Sequence, residues 1–441
     1  MDKLVDYIKW MGSLNFDAYP FREADALVLC VASYFDMKPV FKGRIEADTE
    51  EKQRRLTLSD CIPMIEEGRA SLMITGGDMG NSDVLEAAAR SVRFGSLFMN
   101  GNVDIINKDA DLQFAAVCFS YEPAGCGRPF SFIAFRGTDS TLVGWKEDFM
   151  ISFTRPKAQI LSAEYVRALM EAGEAADQGE RIRDWYIGGH SKGGNLAMYA
   201  ACMLPDHLLE RVTRIYDLDG PGFCPEVLDL ALLDRIDKKT TRIIPEFEVI
   251  GKIFEPKISD TRIVKSYRKG VDQHSLPSWM VEYGALAETD HMDPRASWLG
   301  DNLSAWISAI PHQDRQQFID ELFDALAAGG AEDLDNFKAE NIKDAMIALS
   351  KTSKLTKYAL TSLPARLFNL ENLEELTDDL KEDLRQGLKT EAEKLKLPEV
   401  KLPEVKLPEV KLPEVKLPDN INALLNKRKE QDSKPKEKTE Q

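Results

Sequence analysis

Residues Tyr186-Ile187-Gly188-Gly189-His190-Ser191-Lys192-Gly193-Gly194-Asn195-Leu196-Ala197 read as a strand, a tight turn with a serine at its apex, and the start of a helix. Gly189 and Gly193 flank Ser191 at two residues on either side, which is the Gly-x-Ser-x-Gly spacing of a nucleophile elbow. A serine held in a strained backbone conformation needs neighbours without bulky side chains. Upstream, Arg183-Asp184-Trp185-Tyr186-Ile187 ends in a compact apolar run suited to a buried strand. Downstream, Asn195 to Leu204 is a run of helix-tolerant residues stopped by Pro205. Ser191 is therefore the expected nucleophile, and the Lys192 amide, at the helix N-terminus, the first expected oxyanion donor.

Acyl transfer needs a second donor beside the nucleophile. Phe130-Ser131-Phe132-Ile133-Ala134-Phe135 reads as a buried strand running into the polar turn Arg136-Gly137-Thr138-Asp139-Ser140. A loop leaving an adjacent strand is where this architecture supplies that donor, and Thr138 is the expected one. The same five residues also read as an ordinary turn that closes the strand.

Phe135-Arg136-Gly137-Thr138-Asp139-Ser140, with Trp145 and Asp148, resembles the oxyanion loop of the class 3 (fungal-type) lipases, and Gly-His-Ser-Lys-Gly-Gly resembles their elbow. The chain is still more similar to a bacterial lipase-like family of unassigned role. That resemblance rests on Tyr19-Pro20-Phe21 with Asp25-Ala26-Leu27, Gly144 to Phe149, Asp219-Gly220-Pro221-Gly222-Phe223, and Gln273-His274 with Trp279. It runs from near residue 15 to near residue 330. It implies an α/β-hydrolase fold with a mostly parallel sheet flanked by helices, and it points to His274 as the base.

The five histidines lead to the same base by position. In α/β-hydrolases the order is serine, acid, histidine, with the histidine on a loop after the last strand. His190 lies inside the elbow, His207 follows Pro205 at the far end of the elbow helix, and His312 opens a surface helix. His274 and His291 remain. His274 directly follows the alternating strand Thr261 to Tyr267 and a Gly270-Val271-Asp272 turn, and is preferred. The acid belongs on the loop after Thr241-Arg242-Ile243-Ile244. The resemblance implies an aspartate near Phe247, which this chain lacks; Glu248 is the expected replacement, with Glu246 and then Asp219 as alternatives. Asp219 sits in Asp-Gly-Pro-Gly, which is turn chemistry in its own right.

The chain has 441 residues, 57 basic against 74 acidic side chains and a net charge of −17. That balance opposes binding to a phosphate backbone, so nucleic acid is not an expected partner. No stretch approaches the ~18 apolar residues of a membrane span. The amino terminus lacks the pattern of a secretory signal, and the six cysteines show no paired spacing. Buried thiols and a cytoplasmic location are expected. Strands alternate with helical stretches from Leu112 to about Tyr267. The expected organisation is a hydrolase domain over 1–300, including a helical N-terminal part, a helical extension over 301–395, and a tail over 396–441.

Leucines at 370, 373, 376, 380 and 384 suggest an amphipathic helix, either packed on a neighbour or partner helix or serving as a lid. In the tail, Lys396-Leu397-Pro398-Glu399-Val400 recurs at 401, 406 and 411. Proline every fifth residue rules out a regular helix or central strand, leaving a semi-rigid spacer of roughly 70 Å or a multivalent ligand for a protein partner. The expected function is a serine hydrolase acting on carboxylic or lipid esters without metal or organic cofactor. The rival is a catalytically weak hydrolase fold that acts as a scaffold through its tail.

Overall fold

The computed structural model describes residues 2–41, 55–67, 81–107, 112–125, 127–137, 150–151, 157–177 and 182–294, and part of 296–328. Thr138, Trp145, Asp148, Cys126, the leucines at 370–384 and the Pro-containing repeats lie outside them. The chain divides into two compact units, Met1–Ile307 and Ser308–Gln441. In the second, the described helix is His312–Ala328.

The first unit is built on an eight-stranded sheet. Its strands are β2 (Phe98–Asn107), β3 (Leu112–Tyr121), β4 (Phe130–Phe135), β5 (Asp184–His190), β6 (Val212–Leu218), β7 (Thr240–Pro245), β8 (Thr261–Val264) and β11 (Glu288–Thr289). They are ordered β11-β8-β7-β6-β5-β4-β3-β2. Strands β4 to β8 run parallel, and antiparallel partners extend the sheet at both ends. A small second sheet joins β1 (Asp2–Lys3), β9 (Met280–Glu282) and β10 (Ala285–Leu286). This is a mostly parallel α/β sheet flanked by helices, the α/β-hydrolase architecture.

Strand β4 shows why both faces are covered. All six of its residues are buried, so successive side chains must find cover on opposite sides. Phe130, Phe132 and Ala134 face the N-terminal helices Leu4–Met11 and Glu23–Ala32, where Phe21 stacks on Tyr186 at 4.5 Å. Phe135, on the other face, meets Tyr165 of helix Lys157–Asp177 at 6.0 Å. Nine of the ten residues of Glu23–Ala32 are buried, which its nearly continuous apolar sequence requires.

The N-terminal helices are held by one buried ion pair. Arg93 and Asp25 are both fully buried and meet through two bonds, Nε to Oδ1 at 2.7 Å and Nη2 to Oδ2 at 2.6 Å. Tyr7 donates to Asp25 Oδ1 at 2.8 Å, Arg93 also donates to the Tyr19 and Pro20 carbonyls, and its guanidinium lies 3.9 Å from the Phe16 ring centroid. Tyr19-Pro20-Phe21 and Asp25 thus form one packed unit. Removing one member leaves a buried charge without its partner. Arg93→Ala is expected to lower unfolding free energy by about 3–5 kcal/mol, read from urea titration.

Cys30, Cys61, Cys118, Cys202 and Cys224 are buried and free. Burial pushes the Cys118 thiol up to about 11 and the Cys61 and Cys202 thiols up to about 12, which makes them poor nucleophiles. No described helix is long and apolar enough to cross a membrane.

Candidate active site

Strand β5 ends at His190, Ser191 turns, and helix Lys192–Met203 begins. Ser191 has φ 57° and ψ −127°, a region that L residues rarely occupy. The flanking glycines allow it. A Cβ on Gly189 would overlap the backbone of Gly193, and one on Gly193 would overlap the Phe135 carbonyl at the end of β4. A Cβ on Gly194 would strike the Asp217 carboxylate. The Gly-x-Ser-x-Gly-Gly spacing is a packing requirement between the elbow and strands β4 and β6.

The turn after β6 is stapled to this elbow. The Ser191 amide donates to the Leu218 carbonyl at 3.0 Å. Asn195, on the elbow helix, donates through Nδ2 to the Pro221 and Gly222 carbonyls at 3.0 Å each, and its own Oδ1 accepts from Gln159 at 2.8 Å. Asp217 Oδ1 accepts the Gly220 amide at 2.9 Å. Asp219 takes φ 60°, so nucleophile and carboxylate stand on two strained turns at the ends of neighbouring parallel strands. Ligand sites in such sheets lie at these carboxyl ends.

His274 closes the 3₁₀ turn Gly270–His274 after β8. Its Nδ1 lies 2.6 Å from Asp219 Oδ2. A carboxylate accepts, so Nδ1 donates and Nε2 is left as the basic nitrogen. The loop is anchored from two sides: Trp279 Nε1 donates to the Gln273 carbonyl at 2.8 Å, and Gln273 Oε1 accepts the Phe247 amide at 2.9 Å. His190, the residue before Ser191, reaches the same loop, with its Nε2 2.8 Å from the His274 carbonyl oxygen and ring centroids 4.5 Å apart. His291 is exposed, and His207 sits in the short helix Asp206–Leu209.

Of the three candidate acids, the geometry brings Asp219 to His274. The carboxylate hydrogen-bonded to His274 is Asp219, the last of the alternatives, and not Glu248. Glu248 is fully buried, and its Oε1 accepts the Gly251 amide and, at 3.3 Å, the Lys252 amide. Those bonds engage Oε1 with its own loop. Glu246 is half-buried, and its carbonyl accepts from the Asp293 amide. Asp219 follows β6 and Glu248 follows β7, so both strand ends that could supply an acid carry one. Thr138 lies outside the described residues. Lys192 is the first residue of the elbow helix, as the sequence pattern requires, and its Nζ donates to Gln113 at 3.0 Å.

Asp219, Glu248 and His274 each offer one atom within 4.8 Å of the others, the one such group among the described residues. The spacing would admit a cation, but His274 Nδ1 is already engaged with Asp219, which is the geometry of an imidazole–carboxylate pair. Beneath the pair, Arg242 donates to Asp217, to the Gly220 carbonyl at 2.9 Å and to the Gly251 carbonyl at 2.7 Å, tying the turn after β6 to the loop after β7. Burial pushes the Asp217 carboxyl up to about 6, and Arg242 and the Gly220 amide limit the rise.

His190 is fully enclosed. Burial, and then the neighbouring His274, hold it well below the usual imidazole range. Below about pH 6.5 the unfolded chain binds a proton there that the folded chain does not, so this contribution to stability is complete above about pH 6.5 and declines as the pH falls. The expected slope is up to about 1.4 kcal/mol per pH unit. Asp217 acts in the opposite sense: its raised value makes its contribution fall as the pH rises from 3.8 to about 6. Urea midpoints of wild type and His190→Gln at pH 7 and pH 5.5 isolate the histidine, whose part of the slope disappears in the variant.

A serine elbow on a mostly parallel sheet, with an imidazole–carboxylate pair at the ends of the following strands, defines a hydrolase-like, lipase-like fold. The chain belongs to the Mbeg1-like family, whose model matches residues 88–324. The match leaves out the N-terminal Tyr19-Pro20-Phe21 and Asp25 features. Among solved structures the chain is similar to the crystal structure of M37 lipase, with 13% identity, a TM-score of 0.33, and coverage of 52% of this chain and 68% of that one. No curated protein matches the chain.

Proposed function

We propose that this protein is a serine hydrolase that cleaves carboxylic esters, lipid esters among them, through an acyl-enzyme intermediate. The observation that carries this reading is the 2.6 Å bond from His274 Nδ1 to Asp219, made beside a positive-φ serine flanked by packing glycines. In the proposed cycle Ser191 Oγ attacks the ester carbonyl carbon as His274 Nε2 takes the hydroxyl proton. The tetrahedral oxyanion is held by the Lys192 amide and by Thr138. Collapse breaks the acyl–oxygen bond, and His274 returns the proton to the departing alcohol. Water, deprotonated by His274, then attacks the acyl carbon, and release of the acid restores Ser191. Asp219 keeps the imidazole in the tautomer that leaves Nε2 free. The cycle itself calls for no metal or organic cofactor.

The test is a panel of p-nitrophenyl and glyceryl esters of graded acyl length, assayed with wild type and Ser191→Ala. Turnover of at least one ester by wild type and not by the variant is the expected result. An inert wild type across the panel counts against the reading.

A further inference from the structure

Tyr34 and His190 take no part in the cycle above, yet both are buried against it. The Tyr34 hydroxyl lies 2.6 Å from His190 Nδ1, and His190 Nε2 lies 2.8 Å from the His274 carbonyl oxygen. A carbonyl oxygen only accepts, so Nε2 carries a proton. The ring is neutral because of its burial, so Nδ1 is an acceptor and the Tyr34 hydroxyl is its donor. The hydrogen bonds therefore run in one direction, from tyrosine to imidazole to the backbone of the base.

Tyr34 also touches the loop that leaves β4. A Cβ on Gly137 would overlap the Tyr34 hydroxyl and lie 2.6 Å from the His190 carbonyl oxygen. One phenol thus meets the start of the Thr138 loop and the residue before the nucleophile. It comes from the segment following helix Glu23–Ala32, upstream of the residues that match the family.

We infer that Tyr34 and His190 are positioning residues, a peg that fixes the backbone of His274 to the nucleophile elbow. The kinetic consequence rests on the serine-hydrolase reading; the proton placement rests on the contacts alone. Trp279 and Phe247 hold the base loop through Gln273, and the His190 bond joins that loop to the strand bearing Ser191. A base displaced by about 1 Å can lose about 10²-fold in rate. Neutrality matters too. The two rings lie 4.5 Å apart, so a charge on His190 would oppose the proton that His274 takes from Ser191.

Two substitutions separate the halves of the peg. In His190→Asn the amide occupies the Nδ1 side and stops short of the His274 carbonyl, whereas in His190→Gln the amide nitrogen reaches the former Nε2 position. The second-order rate of fluorophosphonate labelling is expected to fall on the order of 10²-fold in His190→Asn at unchanged thermal melting, and to recover most of that loss in His190→Gln. Wild-type rates in both variants overturn the inference. Independently of turnover, ¹⁵N-histidine NMR of the full chain near neutral pH is expected to show His190 neutral with its proton on Nε2. A ring protonated on Nδ1, or on both nitrogens, overturns it. In Tyr34→Phe the Nδ1 acceptor loses its donor while Nε2 keeps its proton on the His274 carbonyl, so the Nδ1 resonance is expected to shift; an unchanged Nδ1 resonance there also counts against the peg. If wild type takes no label, the hydrolase reading falls while the tautomer still decides the peg.

Discussion

Ser191→Ala is expected to lower ester turnover by about 10⁵–10⁶-fold, to the residue of rate left by binding and oxyanion contacts. The size of the loss follows from the absence of a substitute. The elbow holds Ser191 at φ 57° through glycines that pack against β4 and β6, and that geometry serves one residue. Alanine at 191 keeps the Cβ and the turn, so folding should be retained. Circular dichroism and the urea midpoint, both near wild type, are the controls that make the loss chemical. A loss of less than tenfold would place the chemistry elsewhere.

Asp219→Asn is expected to lower turnover by about 10⁴-fold. Asparagine fits the same space but can present an N–H toward Nδ1, which favours the tautomer with its proton on Nε2 and removes the base. Glu248→Gln is expected to stay far closer to wild type, because Glu248 Oε1 accepts backbone amides of Gly251 and Lys252 and a carboxamide oxygen can do the same. The ranking is the informative quantity. Steady-state kinetics that put the larger loss on Glu248→Gln would reverse the assignment of the acid and restore the choice that strand order alone suggests.

The elbow was legible because its chemistry is local. Glycines at fixed offsets from a serine, a strand before and a helix after can all be read from one short stretch, and the bounds Asp184–His190 and Lys192–Met203 follow it closely. The place of His274 on a loop after β8 was legible by elimination among five histidines. The carboxylate that meets His274 was not, because the deciding fact is non-local. Asp219 and Glu248 both lie at the start of loops at neighbouring strand ends, and which carboxylate meets His274 depends on amide bonds inside the Glu248 loop and on Asn195 holding the turn after Gly220. Asp-Gly-Pro-Gly reads as turn chemistry and is a turn; its positive-φ first residue also carries the carboxylate that is hydrogen-bonded to His274. Tyr34 left no signal, since its partner stands 156 positions away. Arg242 likewise reads as an ordinary strand residue, and only the packed sheet shows it buried between Asp217 and the loop after β7.

The most direct test of the central claim is peptide mapping by mass spectrometry after reaction with a fluorophosphonate. One adduct is expected, on Ser191, forming in wild type and suppressed in His274→Ala. An adduct on another residue, or one on Ser191 that forms as fast without His274, would contradict it.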